Sequence, residues 1–327
     1  MDQLEKHTNI KKIHEPIPPA MNWIAKLTKM NHIIEVMAMY HEPTGLNKIK
    51  KLTDNKYINL ETKEIKEYKT SEHRGHSIES TKRTLKRLRH LINNNFHGEP
   101  NELFVTLTYK ENMTDTKQLY NDFKIFIKRL KRKYPDVEYL SVVEPQGRGA
   151  WHCHVLIKFT NRESIYINNN NILAPMWGHG FTKITNISEV DNIGAYLTAY
   201  LSDLEITDEN RETLIDNIGN HTSVIDKEIT ENGQTISKRY LKGGRLKMYP
   251  PGMNIYRYSR GIIKPDTEKM TYMETKEYVG KEQPHYIKQV AITVDDLAVN
   301  TITYEQYNMK RIKEDDGDDK TNKPIPM

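Results

Sequence analysis

Two histidines separated by one residue, His152 and His154, lie in the run Trp151-His-Cys-His-Val-Leu-Ile-Lys-Phe159. Read as a strand, this run puts Cys153, Val155, Ile157 and Phe159 on one wholly apolar face and His152 with His154 on the other. Residues two apart on a strand stand about 6.6 Å from each other, so two imidazoles held this way can reach one cation. The preceding Pro-Gln-Gly-Arg-Gly-Ala carries glycines at 147 and 149, which suits a hairpin back to a strand at 138–144. A pairing that sets Glu144 opposite His152 and Val142 opposite His154 brings the carboxylate onto the histidine face, because opposed residues of an antiparallel pair share a face. Two nitrogens and one oxygen leave positions open for water or a phosphate oxygen. That donor set suits Mn²⁺ or Mg²⁺ in a phosphoryl-transfer site, and Zn²⁺ accepts the same donors. Against it stands the ordinary reading of His-x-His as two surface histidines; the register-placed glutamate and the apolar opposite face favour the metal.

A second group is Asn192-Ile-Gly-Ala-Tyr196-Leu-Thr-Ala-Tyr200-Leu-Ser-Asp203. Tyr196 and Tyr200 are four apart and therefore neighbours on one helix face. Ile193, Leu197, Tyr200, Leu201 and Leu204 make the buried stripe, with Tyr196 at its edge. Taken alone, such tyrosines pack a helix onto a sheet.

Basic residues are clustered. Arg148 stands at the hairpin tip, Arg83 and Arg87 lie in the run 82–89, and Lys128 and Arg129 open the run 128–133. A third set, Lys238, Arg239, Lys242, Arg245, Lys247, Arg257 and Arg260, interleaves with Tyr240, Tyr249, Tyr256 and Tyr258. Cations with interleaved aromatics suit a single strand, gripping phosphates and stacking bases. The plain alternative for each cluster is a solvated surface.

The elements that must position these residues follow from periodicity. The spacing predicts a helix over 77–96 with Leu85, Leu88, Leu91 and Ile92 as its stripe, a strand at 102–109, and an amphipathic helix at 117–133 ended by Pro135. The two hairpin strands come next, then a strand at 181–187 and a helix from a Ser188 cap to Leu204. The order predicts an α+β domain with a central antiparallel sheet and flanking helices. Upstream, residues 1–20 read as a loose arm, and Trp23, Ile24, Leu27, Met30, Ile33, Ile34 and Met37 have helical spacing. Downstream of 205 the pattern weakens, and the acidic tail 314–327 reads as disordered.

The 327 residues carry 49 Lys and Arg against 44 Asp and Glu, a net +5 that suits but does not by itself demand a nucleic-acid partner. A single cysteine, Cys153, excludes an intramolecular disulfide framework and points to a reducing compartment. There is no apolar run of the roughly 18 residues a membrane helix needs, and the first residues lack the apolar core of a secretory signal. The expectation is a cytoplasmic protein with no membrane partner.

Taken together, Glu-x7-His-x-His and, about forty residues on, a helix with Tyr-x3-Tyr resemble the HUH-type rolling-circle replication initiators. Phe104-Val-Thr-Leu-Thr-Tyr109 is similar to that family's first motif. Met176-Trp-Gly-His-Gly-Phe181 and Tyr258-Ser-Arg-Gly-Ile-Ile-Lys-Pro265 resemble segments of Gram-positive plasmid initiators. The resemblance covers residues 77–265. It implies an endonuclease and DNA-binding domain of RRM- or ferredoxin-like βαββαβ arrangement there, flanked by a partly helical N-terminal extension at 1–76 and a C-terminal extension at 266–327.

The resemblance further implies that Glu144, His152 and His154 ligate a divalent ion, Mn²⁺ or Mg²⁺, and that Tyr196 or Tyr200 attacks a phosphodiester of single-stranded or hairpin origin DNA. Family members differ in which tyrosine reacts; the edge position of Tyr196 puts it first, with Tyr200 for a later strand transfer. The products would be a 5′-phosphotyrosine and a 3′-OH that primes a polymerase. Many relatives carry a lysine three residues after a tyrosine of this helix, where this chain has Ala199 and Asp203. With no Gly-x4-Gly-Lys-Ser/Thr loop, unwinding is expected from a host helicase. A relaxase or single-strand transposase of the same superfamily shares the chemistry. A non-catalytic RRM-like module would use the same sheet without needing the three ligands.

Overall fold

The computed structural model describes residues 8–42, 49–53, 56–60, 62–67, 78–146, 149–207, 224–231, 234–250, 253–294 and 297–311; the side chains of Thr8, Ile78, Glu79, Tyr200, residues 227–236 and Lys247 lie outside the description. Two compact units divide the chain, residues 1–72 with 266–312 forming one and 73–265 forming most of the other.

The first unit opens with β1 (Thr8–Ile13), β2 (Ile24–Met30) and β3 (Ile33–Met39), followed by a small antiparallel sheet of β4 (Ile49–Lys51), β5 (Lys56–Asn59) and β6 (Ile65–Glu67). The helix expected over residues 22–40 is thus a β-hairpin. Met30 pairs with Ile33, and Asn31 takes the left-handed conformation at φ 57°, which asparagine tolerates. Both strands bury residues on both faces, so their apolar residues lose the alternation that marks a half-exposed strand and fall by chance at helical spacing.

The second unit begins with α1 (Ile78–Asn95), β7 (Glu102–Leu107) and α2 (Thr116–Lys133), whose first turn is capped by Asp115 Oδ1, accepting from Lys117 N at 2.7 Å. Then come β8 (Val137–Pro145), β9 (Trp151–Phe159), a short α3 (Ala174–Trp177), β10 (Thr182–Thr185) and α4 (Ile193–Ser202). The strands β11 (Leu204–Glu205), β12 (Val224–Glu231) and β13 (Gln234–Leu241) form a separate sheet in the order β11-β13-β12. A 3₁₀ turn (Gly244–Met248) and β14 (Tyr256–Tyr258) complete the unit.

The main sheet of this unit is fully antiparallel, in the order β10-β7-β9-β8-β14, so the histidine strand β9 lies at its centre. Helices cover both faces. On the cysteine face, α2 buries Leu119, Phe123, Phe126, Ile127 and Leu130, and Phe123 meets Tyr139 edge-on at 5.6 Å. On the histidine face, α1 and α4 pack together through Leu88, Leu91, Ile92, Ile193, Leu197 and Leu201. The helix expected to start at Ser188 starts at Ile193 instead. Asn192 is its cap, its Oδ1 accepting from Ala195 N at 2.9 Å, because Val190 and Ile187 are spent on a preceding turn.

The chain returns to the first unit through β15 (Thr267–Thr271), α5 (Tyr272–Val279), β16 (Tyr286–Val294) and β17 (Leu297–Asn308). These strands join the N-terminal ones in a six-stranded sheet, β1-β16-β17-β3-β2-β15. The C-terminal segment is therefore ordered as strand and helix through Asn308. Its Tyr272 and Val279 pack on Ala25, Leu27, Ile34, Val36 and Ala38, and the hydroxyls of Tyr272 and Tyr307 both donate to the buried Glu305. The acidic tail lies outside the described residues.

Candidate functional site

The β8–β9 register decides the site. Glu144 pairs directly with His152, Val142 with His154, and Cys153 with Val143, as the alternation predicts. One strand further across the sheet, Thr106 of β7 pairs with His154. Glu144, His152, His154, Thr106 and Phe104 consequently share a face.

On that face His154 is held from three sides. Its Nε2–H donates to Glu144 Oε2, its Nδ1 accepts from the Thr106 hydroxyl at 3.2 Å, and its ring stacks on Phe104 at 5.6 Å between centroids. Burial lowers its pKa to about 4, so the imidazole is neutral at neutral pH, the form that can ligate a metal. Glu144 is also buried. Its second oxygen, Oε1, is taken by the guanidinium of Arg245, and burial lowers that arginine's pKa below its usual range. The His152 ring is less buried and stands 6.5 Å from the His154 ring, tilted by 70°. Among the described residues no group of three or more His, Cys, Asp and Glu side chains gathers closely enough to hold a metal ion.

The tyrosine helix approaches this face. Tyr196 is half-buried and meets Phe104 edge-on, with centroids 6.5 Å apart, so Phe104 bridges Tyr196 and His154. Three features fix α4. Gly194 lets α1 approach, its N–H donating to the buried Asn93 Oδ1 at 2.8 Å. The Asn93 side-chain amide donates to Asn192 Oδ1 at 3.1 Å. At the other end the buried Tyr249 hydroxyl reaches both Leu201 O at 3.3 Å and Val143 O at 3.0 Å, tying α4 to the strand residue before Glu144. Tyr200 follows on the same helix; its side chain lies outside the description.

The expected DNA-contacting cations are distributed unevenly. Arg83 and Arg87 are exposed on α1, and Lys128 is exposed on α2. Arg129, beside it, donates Nη1 to Met176 O at 2.8 Å and so also holds α3. Arg257 lies over the Tyr120 ring at 3.7 Å, and Arg260 is exposed beyond β14. Arg148 falls outside the described residues. Arg245, expected with the surface group, is instead inside the site on Glu144.

Two of the family-like segments have structural work in this fold. Trp177 is buried with its indole N–H on Thr108 O at 2.7 Å, and a Cβ on Gly180 would lie 2.6 Å from both Thr108 O and Lys110 N. His179 faces Asp122, which also accepts from the buried Tyr109 hydroxyl at 2.9 Å. A Cβ on Gly261 would lie 2.5 Å from Glu138 Cδ, and Ser259 Oγ donates to Tyr139 O at 3.1 Å, so the second segment closes the end of β14 onto β8.

Thr106, Phe104 and the position of Arg245 are the features that motif reading passes over. Alternation in β7 already puts Phe104 and Thr106 on one face. Nothing local to Arg245 marks it as buried except the Gly243-Gly244 pair before it.

Residues 102–205 match the family model described as Replication-associated protein ORF2. No curated protein and no solved structure matches the chain. The matched span holds Glu144, His152, His154, Tyr196 and Tyr200 and thus the strands and helix of the candidate site. At this level the chain is similar to replication-associated proteins. No helix among the described residues is long and apolar enough to cross a membrane.

Proposed function

We propose that this protein initiates rolling-circle replication by nicking single-stranded origin DNA through a tyrosine nucleophile, with a divalent ion bound by Glu144, His152 and His154. One observation carries the reading. Two histidines and a glutamate share one sheet face inside the span that resembles replication-associated proteins, and Phe104 joins that face to Tyr196.

The donors suit a divalent ion in chemistry and in face. Glu144 and His154 already meet, and Thr106 can hold the Nδ1–H tautomer that frees Nε2 as a ligand. The set is not closed in this structure, since Arg245 occupies one oxygen of Glu144. When bound, Mn²⁺ or Mg²⁺ would offset the charge that develops on the non-bridging phosphate oxygens.

The chain's own residues do the rest. A bond forms between the tyrosine oxygen and phosphorus while the bond from phosphorus to the 3′-oxygen breaks. The phenol gives up its proton, the 3′-oxygen gains one, and the 5′ end stays esterified to the protein. The ester conserves bond energy, so a 3′-OH can later reverse the step and religate the strand. Tyr196 is the first nucleophile in this reading, because it stands at Phe104 beside the histidine, and Tyr200 serves a second transfer. Exposed Arg83, Arg87, Lys128 and Arg260, with Arg257 and the stacked Tyr256 and Tyr258 rings, supply phosphate and base contacts along the unit. The partners are single-stranded origin DNA, a polymerase that extends the 3′-OH, and a helicase that opens the duplex.

The test is cleavage of a labelled, randomised single-stranded DNA pool by the full chain. Cleavage with Mn²⁺ that leaves the 5′ end of the downstream fragment on the protein and a 3′ end a polymerase can extend supports the reading. Equal cleavage in EDTA, or a free 5′-phosphate, would overturn it.

A further inference from the structure

Arg245 reaches the site because its surroundings steer it there. Gly243 takes φ +74°, a left-handed turn that favours glycine, and its N–H donates to Asp203 Oδ1 at 3.3 Å. Gly244 packs so closely that a Cβ would lie 2.9 Å from Leu204 Cβ. The turn that follows ends at Tyr249, which is bonded to both α4 and β8. A guanidinium is therefore delivered between the tyrosine helix and the carboxylate, with only 12 % of its side chain exposed.

Such a pair is costly. Desolvating an arginine and a glutamate is offset by their attraction only when the geometry is good, and apolar residues often serve stability better. The same carboxylate is the oxygen donor of the proposed metal site, and one carboxylate cannot fully neutralise two cations. The nearest anion that could take the guanidinium instead is the phosphate the site is proposed to cleave, which an arginine binds in bidentate fashion.

We propose that Arg245 is a DNA-released gate on the metal site: without DNA it holds Glu144, and when a strand arrives it moves to a phosphate and frees Glu144 for the divalent ion. The proposal rests on the metal-dependent nicking reading. It adds that metal and single-stranded DNA bind with positive coupling, and that this coupling runs through Arg245. By linkage, each ligand must then strengthen the other by the same factor.

The experiment measures Mn²⁺ affinity of the full-length protein by electron paramagnetic resonance, with and without an oligo-dT strand, correcting for Mn²⁺ bound by the free strand. Wild type should bind Mn²⁺ about 5- to 150-fold more tightly when the strand is present, the usual range for such coupling. Arg245→Met, which keeps length and packing but not charge, should bind Mn²⁺ tightly without DNA, and the strand should add less than about twofold, well below that coupling range. Arg245→Lys, a compact point charge, should fall between them. Near-ultraviolet circular dichroism establishes that each variant is folded, and if Arg245→Met is not, Arg245→Lys carries the test.

Unchanged or weaker Mn²⁺ binding by the folded variants, with strand enhancement intact, would overturn the gate and leave the metal site standing. No Mn²⁺ binding by any form, with or without the strand, would overturn both. A merely structural ion pair predicts lower stability in the variants and no gain in metal affinity.

Discussion

Replacing Gly194 by alanine tests how α4 is held over the sheet. The backbone permits alanine, since Gly194 is not among the residues with positive φ. Space does not. The added Cβ would lie 2.6 Å from Asn93 Oδ1 and 2.8 Å from both Arg89 Cγ and Arg89 O. The Arg89 carbonyl belongs to α1 and cannot rotate away, so α4 must shift. Alanine improves helix propensity by at most about 1 kcal/mol over glycine. Overpacking opposes it by about 1–3 kcal/mol, and losing the Gly194 N–H to Asn93 bond adds about 1 kcal/mol. The clash wins, with a net loss of about 1–3 kcal/mol. For a unit of this size that lowers Tm by about 2–4 °C per kcal/mol. Trp151 and Trp177 lie in this unit and Trp23 in the other, so a urea titration in a Trp23→Phe background reports the right transition. Nicking should fall further than stability, because the shift carries Tyr196 off Phe104. A variant as stable and active as the parent would refute the close approach of α1 and α4 as the constraint on this residue.

Thr106→Val removes the hydroxyl that orients His154 and should weaken Mn²⁺ binding about 10- to 100-fold with the fold intact; unchanged affinity would remove Thr106 from the site. His154 has a pKa lowered by burial to about 4, so its contribution to stability is complete above the unfolded value near 6.5 and is lost as pH falls through 4. His154→Gln should flatten the stability profile between those values, and an unaltered profile would contradict the buried neutral imidazole. Reversing Lys128, Lys131 and Lys133 should make the slope of log K against log salt shallower by about 0.7 for each phosphate no longer neutralised. Arg129 is spared because it holds Met176 O. No change in slope would return that helix tail to plain solvated surface.

Much of the second unit was legible because its signals are local. The β8–β9 register follows from glycines in the turn and a period of two, and the α2 stripe from Leu119, Phe123, Phe126, Ile127 and Leu130. The first unit was hidden because its strands pair over long range. β3 lies between β2, its hairpin partner, and β17, which is more than 250 residues away, and this two-sided burial erases alternation. The Asn31 turn was the one local clue. In the C-terminal segment Thr301-Ile-Thr-Tyr-Glu-Gln-Tyr307 has strand-like composition, but an expectation of a loose extension leaves it unread. The site itself was half legible. Spacing groups Glu144, His152 and His154, yet only three-dimensional packing brings Arg245 onto Glu144 or sets Phe104 between His154 and Tyr196.

The central claim is that a tyrosine of α4 becomes covalently joined to DNA in a reaction that needs the Glu144, His152 and His154 face. Full-length protein reacted with the randomised single-stranded pool in Mn²⁺, digested and analysed by mass spectrometry, measures this directly. The account predicts a nucleotide on the peptide containing Tyr196, absent from Tyr196→Phe, from His154→Ala and from reactions in EDTA. A nucleotide on Tyr200 alone would reverse the order of the two tyrosines. Cleaved DNA with no nucleotide on either would contradict the account.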